Sequence, residues 1–140
     1  MVDANVLTAK LGELAERIAR VRARCPPTAA ALAADRDSLD LVSFNLMLAV
    51  QICLDIASHL IADEGWAPAA SAAEAFRRLS EHGVLSAATA EQLGKAAGLR
   101  NVVAHGYSAV DPELIHRAAT QGLSDLEQLS QEVSGWLAGR

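Results

Sequence analysis

The sequence has few of the residues that would place it in a specialised class of protein. Its two cysteines, Cys25 and Cys53, join no cluster with metal-ligand spacing, so the sequence predicts neither a disulfide framework nor a metal site. The N-terminal segment lacks the basic region and apolar stretch of a secretion signal. The longest uncharged run, Leu41 to Leu54, is shorter than the roughly 18 apolar residues typical of a membrane span. We therefore expect a cytoplasmic protein with free thiols and no membrane segment.

Excess positive charge is also absent. The formal net charge is −5, which argues against a protein that coats nucleic acid through broad electrostatic attraction but not against one that binds a phosphate locally. The densest basic group comprises Arg17, Arg20, Arg22 and Arg24, at the end of the first helical segment. Cations are favourable at a helix C-terminus in any case, so this group is interpreted as a solvated helix end.

Alanine, leucine and helical spacing dominate what is present. Apolar residues recur at steps of three and four throughout the chain, and no strand-like alternation occurs. The fold class predicted is therefore all-α, a bundle of five or six helices that forms one domain over residues 1–140.

The longest predicted helix, Asp35 to Asp63, is apolar on two sides. One stripe of side chains comprises Leu39, Val42, Leu46, Ala49, Cys53, Ile56 and Leu60; the second comprises Leu41, Phe44, Leu48 and Ile52. A helix with two apolar faces needs two partners. The core of the domain is one, and we expect a second subunit, in a homodimer, to be the other.

The polar residues with the most chemistry lie close together near the end of another predicted helix. At about 100° per residue, Leu99, Val102 and Val103 fall on one face, which we expect to be buried. Arg100 and His105 flank the opposite face, about 140° apart. Asn101 precedes His105 by one turn, so the two side chains are close enough to hydrogen-bond.

These residue types fit metal-free cleavage of an RNA phosphodiester. His105, with an ordinary pKa of about 6.5, is suited to proton transfer at neutral pH. The Arg100 guanidinium is suited to holding a phosphate and stabilising its charge in the transition state. Since one histidine cannot easily act as both base and acid, two copies of the cluster facing each other across a dimer would supply both roles. The alternative interpretation is a set of surface residues without catalytic function.

Two further polar residues lie one helical turn apart in the long helix. Asp55 and His59 are placed to pair with each other, and a structural pair is the expected role. They remain candidate cleft residues.

The stretch "RNVVAHGY", Arg100 to Tyr107, resembles the Arg-x-x-x-x-His-x-Tyr motif of HepT-like toxins, a branch of the HEPN ribonucleases. The similarity extends over Phe76 to Ile115 and over "LAVQICLDIASHLI", Leu48 to Ile61, which resembles the long second helix of that family.

This resemblance implies an all-helical homodimer with the motif in a cleft between the subunits. It implies a metal-independent endoribonuclease toxin of a type VII toxin–antitoxin system, with Arg100 and His105 as the catalytic pair and Asn101 as an accompanying polar residue. The activity that the resemblance implies requires no cofactor. The partner it implies is an MntA-like nucleotidyltransferase antitoxin that transfers AMP to Tyr107. The alternative is a non-catalytic HEPN binding module, or an antitoxin, that accompanies a nucleotidyltransferase.

Overall fold

The fold of the chain is seen in a computed structural model, which describes residues 2–105 and 110–140, and for His105 the backbone only. The described residues form α1 (Ala4–Arg24), α2 (Ala29–Ala34), α3 (Arg36–Glu64), α4 (Ala72–Glu81), α5 (Ala87–His105), α6 (Pro112–Thr120) and α7 (Leu123–Ala138). The predicted all-α bundle is confirmed. Six of these helices correspond to the predicted ones, and the six-residue α2 is an addition that the sequence analysis did not identify.

Side-chain caps fix where most of these helices begin. Asp3, Thr28, Asp35, Ser71 and Asp111 each accept hydrogen bonds from backbone N–H groups in the first turn that follows them. These contacts satisfy donors that have no partner within the helix. The predicted start of α6 at Asp111 and Pro112 is confirmed. Thr28 is the cap that starts α2 directly after the two prolines that end the preceding segment.

Helix α3 lies at the centre of the bundle and contacts all six other helices. Its first apolar stripe is buried as expected: Leu39, Val42, Leu46, Ala49, Cys53, Ile56 and Leu60. The second stripe is divided, because Ile52 is buried whereas Leu41 and Phe44 are 40% and 50% exposed. By length and composition alone α3 could cross a membrane, but 56% of its most apolar 18-residue window is buried inside the protein.

Helix α5 is fixed to the bundle near its N-terminal end. Glu132 of α7 accepts hydrogen bonds from the backbone N–H of Ser86 and the hydroxyl of Thr89. Helix α4 approaches α5 closely at Gly94, where an added Cβ would lie 3.4 Å from the Cβ of Ala73. These contacts set the direction in which α5 runs towards its polar C-terminal end.

Candidate functional site

The polar cluster predicted from the sequence lies at the C-terminal end of α5. Arg100 is half-buried and Asn101 is exposed, while Leu99 and Val103 are buried in the core. The prediction that Val102 belongs to the buried face is wrong, since Val102 is 39% exposed. It lines an open groove with Leu46 of α3 and Leu114 of α6, and these elements leave one side of it uncovered.

Two members of the predicted cluster lie beyond what the structure describes. His105 is the last residue of α5, and its side chain is outside the described part of the chain, as is Tyr107. The expected hydrogen bond between Asn101 and His105 therefore stays a prediction. So does the expectation that Arg100 and His105 act on one phosphate.

The Arg100 side chain is held by a chain of hydrogen bonds that begins on α3. Its Nη1 donates to Oε1 of Gln51 at 2.9 Å, and Nε2 of Gln51 donates to Oδ1 of Asp55, also at 2.9 Å. All three side chains are partly buried. An arginine at the end of one helix is thereby connected to two residues one turn apart on another.

The structure pairs Asp55 and His59 with other residues of α3 and not with each other, which corrects the expected pair. Asp55 accepts from Gln51, and Nε2 of His59 lies 3.0 Å from Oδ2 of Asp63. The physical reason is the regular four-residue spacing of Gln51, Asp55, His59 and Asp63, which offers each of the two a second neighbour on the same face. Of the two candidate cleft residues, only Asp55 is connected to Arg100 by the described hydrogen bonds.

The contact made by Arg100 differs in charge from those made by five other arginines in the described ranges. Ion pairs are found for Arg20, Arg22, Arg36, Arg78 and Arg140, each with a carboxylate on a neighbouring turn or helix. The acceptor of Arg100 is instead the neutral amide of Gln51. This hydrogen bond therefore orients the Arg100 guanidinium without neutralising its positive charge.

Much of the basic group at the end of α1 is engaged within the protein. Arg20 pairs with Glu16, and Arg22 donates to both carboxylate oxygens of Glu127 on α7. The hydrogen bond from Arg22 holds the pKa of Glu127 below its ordinary value. Arg17 donates through Nη1 to Oδ1 of Asn45 on α3 at 3.0 Å. Arg20 and Arg22 stay largely exposed, as a solvated helix end requires, whereas Arg17 is partly buried and contacts α3.

Gln51 is the site residue that sequence reasoning missed. It lies in the apolar run of α3, where a single amide is easily interpreted as a tolerated polar residue. One signal was available, since Gln51 precedes Asp55 by four residues and such pairs are neighbours on a helix. The contact between Gln51 and Arg100, 49 positions apart, depends on how α5 packs on α3 and has no local signature.

Other reactive groups do not gather into a second centre within the described ranges. No three His, Cys, Asp or Glu side chains there come together as a potential metal site. Cys25 and Cys53 are both free, as expected, and burial raises the thiol pKa of each.

Comparison with known proteins matches the sequence of the chain to a family. Residues 14–133 match the family described as Ribonuclease HepT-like. Over 89 residues the chain is 27% identical to the mRNA nuclease HepT of Shewanella oneidensis, an alignment that spans 64% of this chain and 67% of that protein. It is 26% identical over 92 residues to the tRNA nuclease HepT of Aphanizomenon flos-aquae, covering 66% of this chain and 63% of the relative. The matched part therefore spans about two thirds of the length of these two relatives.

The fold also matches solved structures. One is a complex of the tri-AMPylated Shewanella oneidensis HEPN toxin with its MNT antitoxin. The TM-score is 0.86 at 21% sequence identity, and the match covers 95% of this chain and 99% of that one. A second is the cytosolic protein of unknown function YutE from Bacillus subtilis, with a TM-score of 0.84, 15% identity and coverage of 97% of this chain and 91% of that one.

Proposed function

Because the chain belongs to the HepT-like ribonuclease family, we propose that it is a metal-independent endoribonuclease toxin of a type VII toxin–antitoxin system. Residues 1–140 form its single domain, and it acts in the cytoplasm. The observation that carries the proposal is the position of Arg100, whose guanidinium is held at the half-exposed end of α5 by a neutral acceptor. A cation held in this way is suited to binding an anion from solution.

The substrate class is an RNA phosphodiester, and the reaction requires two proton transfers. A base removes the proton of the attacking hydroxyl, and an acid donates a proton to the oxygen that leaves. His105 is the group proposed for these transfers, and Asn101, which precedes it by four residues, is the residue proposed to orient it. The Arg100 guanidinium donates to the phosphate oxygens on which negative charge accumulates in the transition state.

A homodimer supplies the second proton-transfer group. Leu41 and Phe44 of α3 are large apolar side chains left exposed by the single chain. Burying this surface against a second copy would remove apolar area from water, which favours association. Two copies of the α5 end would then provide two His105 residues at one cleft.

The partner is a nucleotidyltransferase antitoxin of the MntA type, which transfers AMP to Tyr107. The support comes from the toxin of Shewanella oneidensis, whose structure is a complex of the AMPylated form with an MNT antitoxin. A phosphodiester-linked nucleotide on Tyr107 would add negative charge to the segment that follows Arg100. That charge would pair with the Arg100 guanidinium and repel the phosphates of RNA.

The nuclease function is tested by cleavage of a labelled RNA with purified protein in the presence of EDTA. We expect wild-type cleavage to persist in EDTA, and Arg100→Ala and His105→Ala each to reduce kcat by about 100-fold or more. Lys95→Ala is the control, because Lys95 is an exposed cation on the same helix. Cleavage that survives both Arg100→Ala and His105→Ala would contradict the proposal.

Expression in a bacterium separates this function from the alternatives. Induced alone, the wild-type chain should arrest growth, and His105→Ala should relieve the arrest. No arrest would favour a binding module or an antitoxin. Co-expression with an MntA-type nucleotidyltransferase should add mass in units of AMP, and the addition should disappear in Tyr107→Phe.

A further inference from the structure

We propose that Gln51 is a positioning residue which, itself oriented by Asp55, holds the Arg100 guanidinium in the geometry needed for phosphate binding without neutralising its charge. The inference rests on the proposed function, because it assigns Arg100 to the phosphate. It adds two residues of α3 to a site that the sequence motif places entirely on α5 and the segment after it.

The geometry of the chain of hydrogen bonds fixes the direction of each group. Asp55 can only accept a hydrogen bond when ionised, so its contact with Gln51 at 2.9 Å determines that the amide nitrogen of Gln51 points towards it. The amide oxygen therefore points the other way, where Nη1 of Arg100 donates to it at 2.9 Å. Asp55 thus selects the amide orientation that accepts from arginine.

The chemical identity of the acceptor matters for the charge of the site. A carboxylate in place of Gln51 would form an ion pair with Arg100 and compete with the RNA phosphate for it. The amide accepts the same hydrogen bond while carrying no net charge. The negative charge of Asp55 polarises the Gln51 amide and so strengthens its acceptor oxygen. This charge does not contact Arg100 directly, because Gln51 lies between the two in the chain of hydrogen bonds.

The platform for this arrangement is rigid. Gln51 lies within the 29-residue helix α3, between the buried residues Val50 and Ile52. A long, flexible arginine side chain loses conformational freedom when it binds phosphate. Holding it beforehand against a fixed amide reduces what must be lost when the guanidinium meets the charge that accumulates on the phosphate in the transition state.

Kinetics of RNA cleavage test the inference through the separate effects on kcat and KM. Gln51→Ala, and the nearly isosteric Gln51→Met, should lower kcat about 10- to 100-fold while thermal unfolding stays close to that of the wild type. Gln51→Glu keeps an acceptor for Arg100 but adds a charge, so it should raise KM more than it lowers kcat. Asp55→Ala should lower kcat. Asp55→Asn retains an acceptor oxygen but can also donate to Gln51, so it should recover only part of the lost kcat.

The matched control is Gln92→Ala, because Gln92 is an exposed amide on α5 and should leave both constants unchanged. If Gln51 had only a structural role, its replacement would lower the melting temperature. Gln51→Glu would then not act mainly on KM while Gln51→Ala acts on kcat. If Arg100→Ala abolishes cleavage but the Gln51 and Asp55 variants all behave as wild type, the inference is overturned and the proposed function stands.

A measurement without RNA keeps the inference separable from the proposed function. NMR of the arginine side chains should show restricted rotation of the Arg100 guanidinium in the wild type and weaker restriction in Asp55→Asn. Rotation should become fast in Gln51→Ala and Asp55→Ala. Fast rotation already in the wild type would overturn the positioning role, whatever the nuclease assay shows. If Arg100→Ala still cleaves RNA, the nuclease assignment of Arg100 fails, and the NMR result alone decides whether Gln51 and Asp55 hold it.

Discussion

Two arginines from different helices contact α3 in chemically similar ways. Arg17 of α1 donates through Nη1 to the amide oxygen of Asn45, and Arg100 of α5 donates through Nη1 to the amide oxygen of Gln51. The amides differ in what surrounds them. Asn45 is only 5% exposed, and its nitrogen donates to the carbonyl of Leu41 in the same helix. Gln51 is half-buried, and its nitrogen donates to the carboxylate of Asp55.

The difference assigns separate roles to two contacts that look alike. A buried amide needs partners because an unsatisfied polar group in the core is costly, so Arg17 serves Asn45. At the other contact the amide is oriented by an anion and serves the arginine. The same pair of functional groups therefore supports the fold at α1 and supports the site at α5.

Replacement of each arginine by lysine should give the largest difference in RNA cleavage between the two contacts. Arg100→Lys keeps the charge but removes the planar fork of donors, so one group can no longer bind both Gln51 and a phosphate in fixed geometry. We expect RNA cleavage to fall about 100-fold. Arg17→Lys should leave cleavage per folded molecule unchanged. The measurement is single-turnover cleavage with equal amounts of folded protein, and equal losses in the two variants would contradict the division of roles.

Removal of the amide on the α1 side should show the opposite pattern. Asn45→Ala deletes a buried group that is hydrogen-bonded to a charged partner, and we expect it to lower the free energy of unfolding by about 1–3 kcal/mol. Cleavage by the remaining folded protein should stay at the wild-type level. Urea unfolding measures the first quantity, and Gln51→Ala is the companion variant, expected to affect cleavage more than stability. Were Asn45→Ala to abolish RNA cleavage without destabilising the protein, the two contacts would not differ in role.

The fold was predictable because the relevant signals are local. The spacing of apolar residues identified α3 within one residue at each end, and the Asp111–Pro112 pair identified the start of α6. The exception is α2, whose six residues are too few to show a period. The burial of individual residues was harder to predict than the helices themselves. Val102 has the helical phase of the buried face but lies where α3 and α6 leave α5 uncovered.

The candidate site was predictable only as far as it lies on one segment. Arg100 and Asn101 became candidates through their spacing to His105, and the family resemblance gave that spacing a meaning. Gln51 was not identified, because its contact with Arg100 joins two helices whose packing is a property of the whole bundle. For the same reason the spacing of Asp55 and His59 suggested a mutual pair, although each has a different partner in the folded chain.

A third arginine contact, fully charged and exposed, should have the smallest effect of all. The side chains of Arg22 and Glu127 are 53% and 39% exposed, so solvent screens their ion pair and Arg22→Ala should cost at most about 1 kcal/mol. The pKa of Glu127 is held below its ordinary value by the hydrogen bond from Arg22. The contribution is therefore present above the ordinary glutamate pKa of about 4.3 and is lost as the pH falls through the lowered one. Urea unfolding of wild type and Arg22→Ala should differ slightly at pH 7 and converge in acid or at high salt, with RNA cleavage equal in both. A loss of stability larger than that of Asn45→Ala, and independent of pH and salt, would show that this pair supports the fold as a buried contact does.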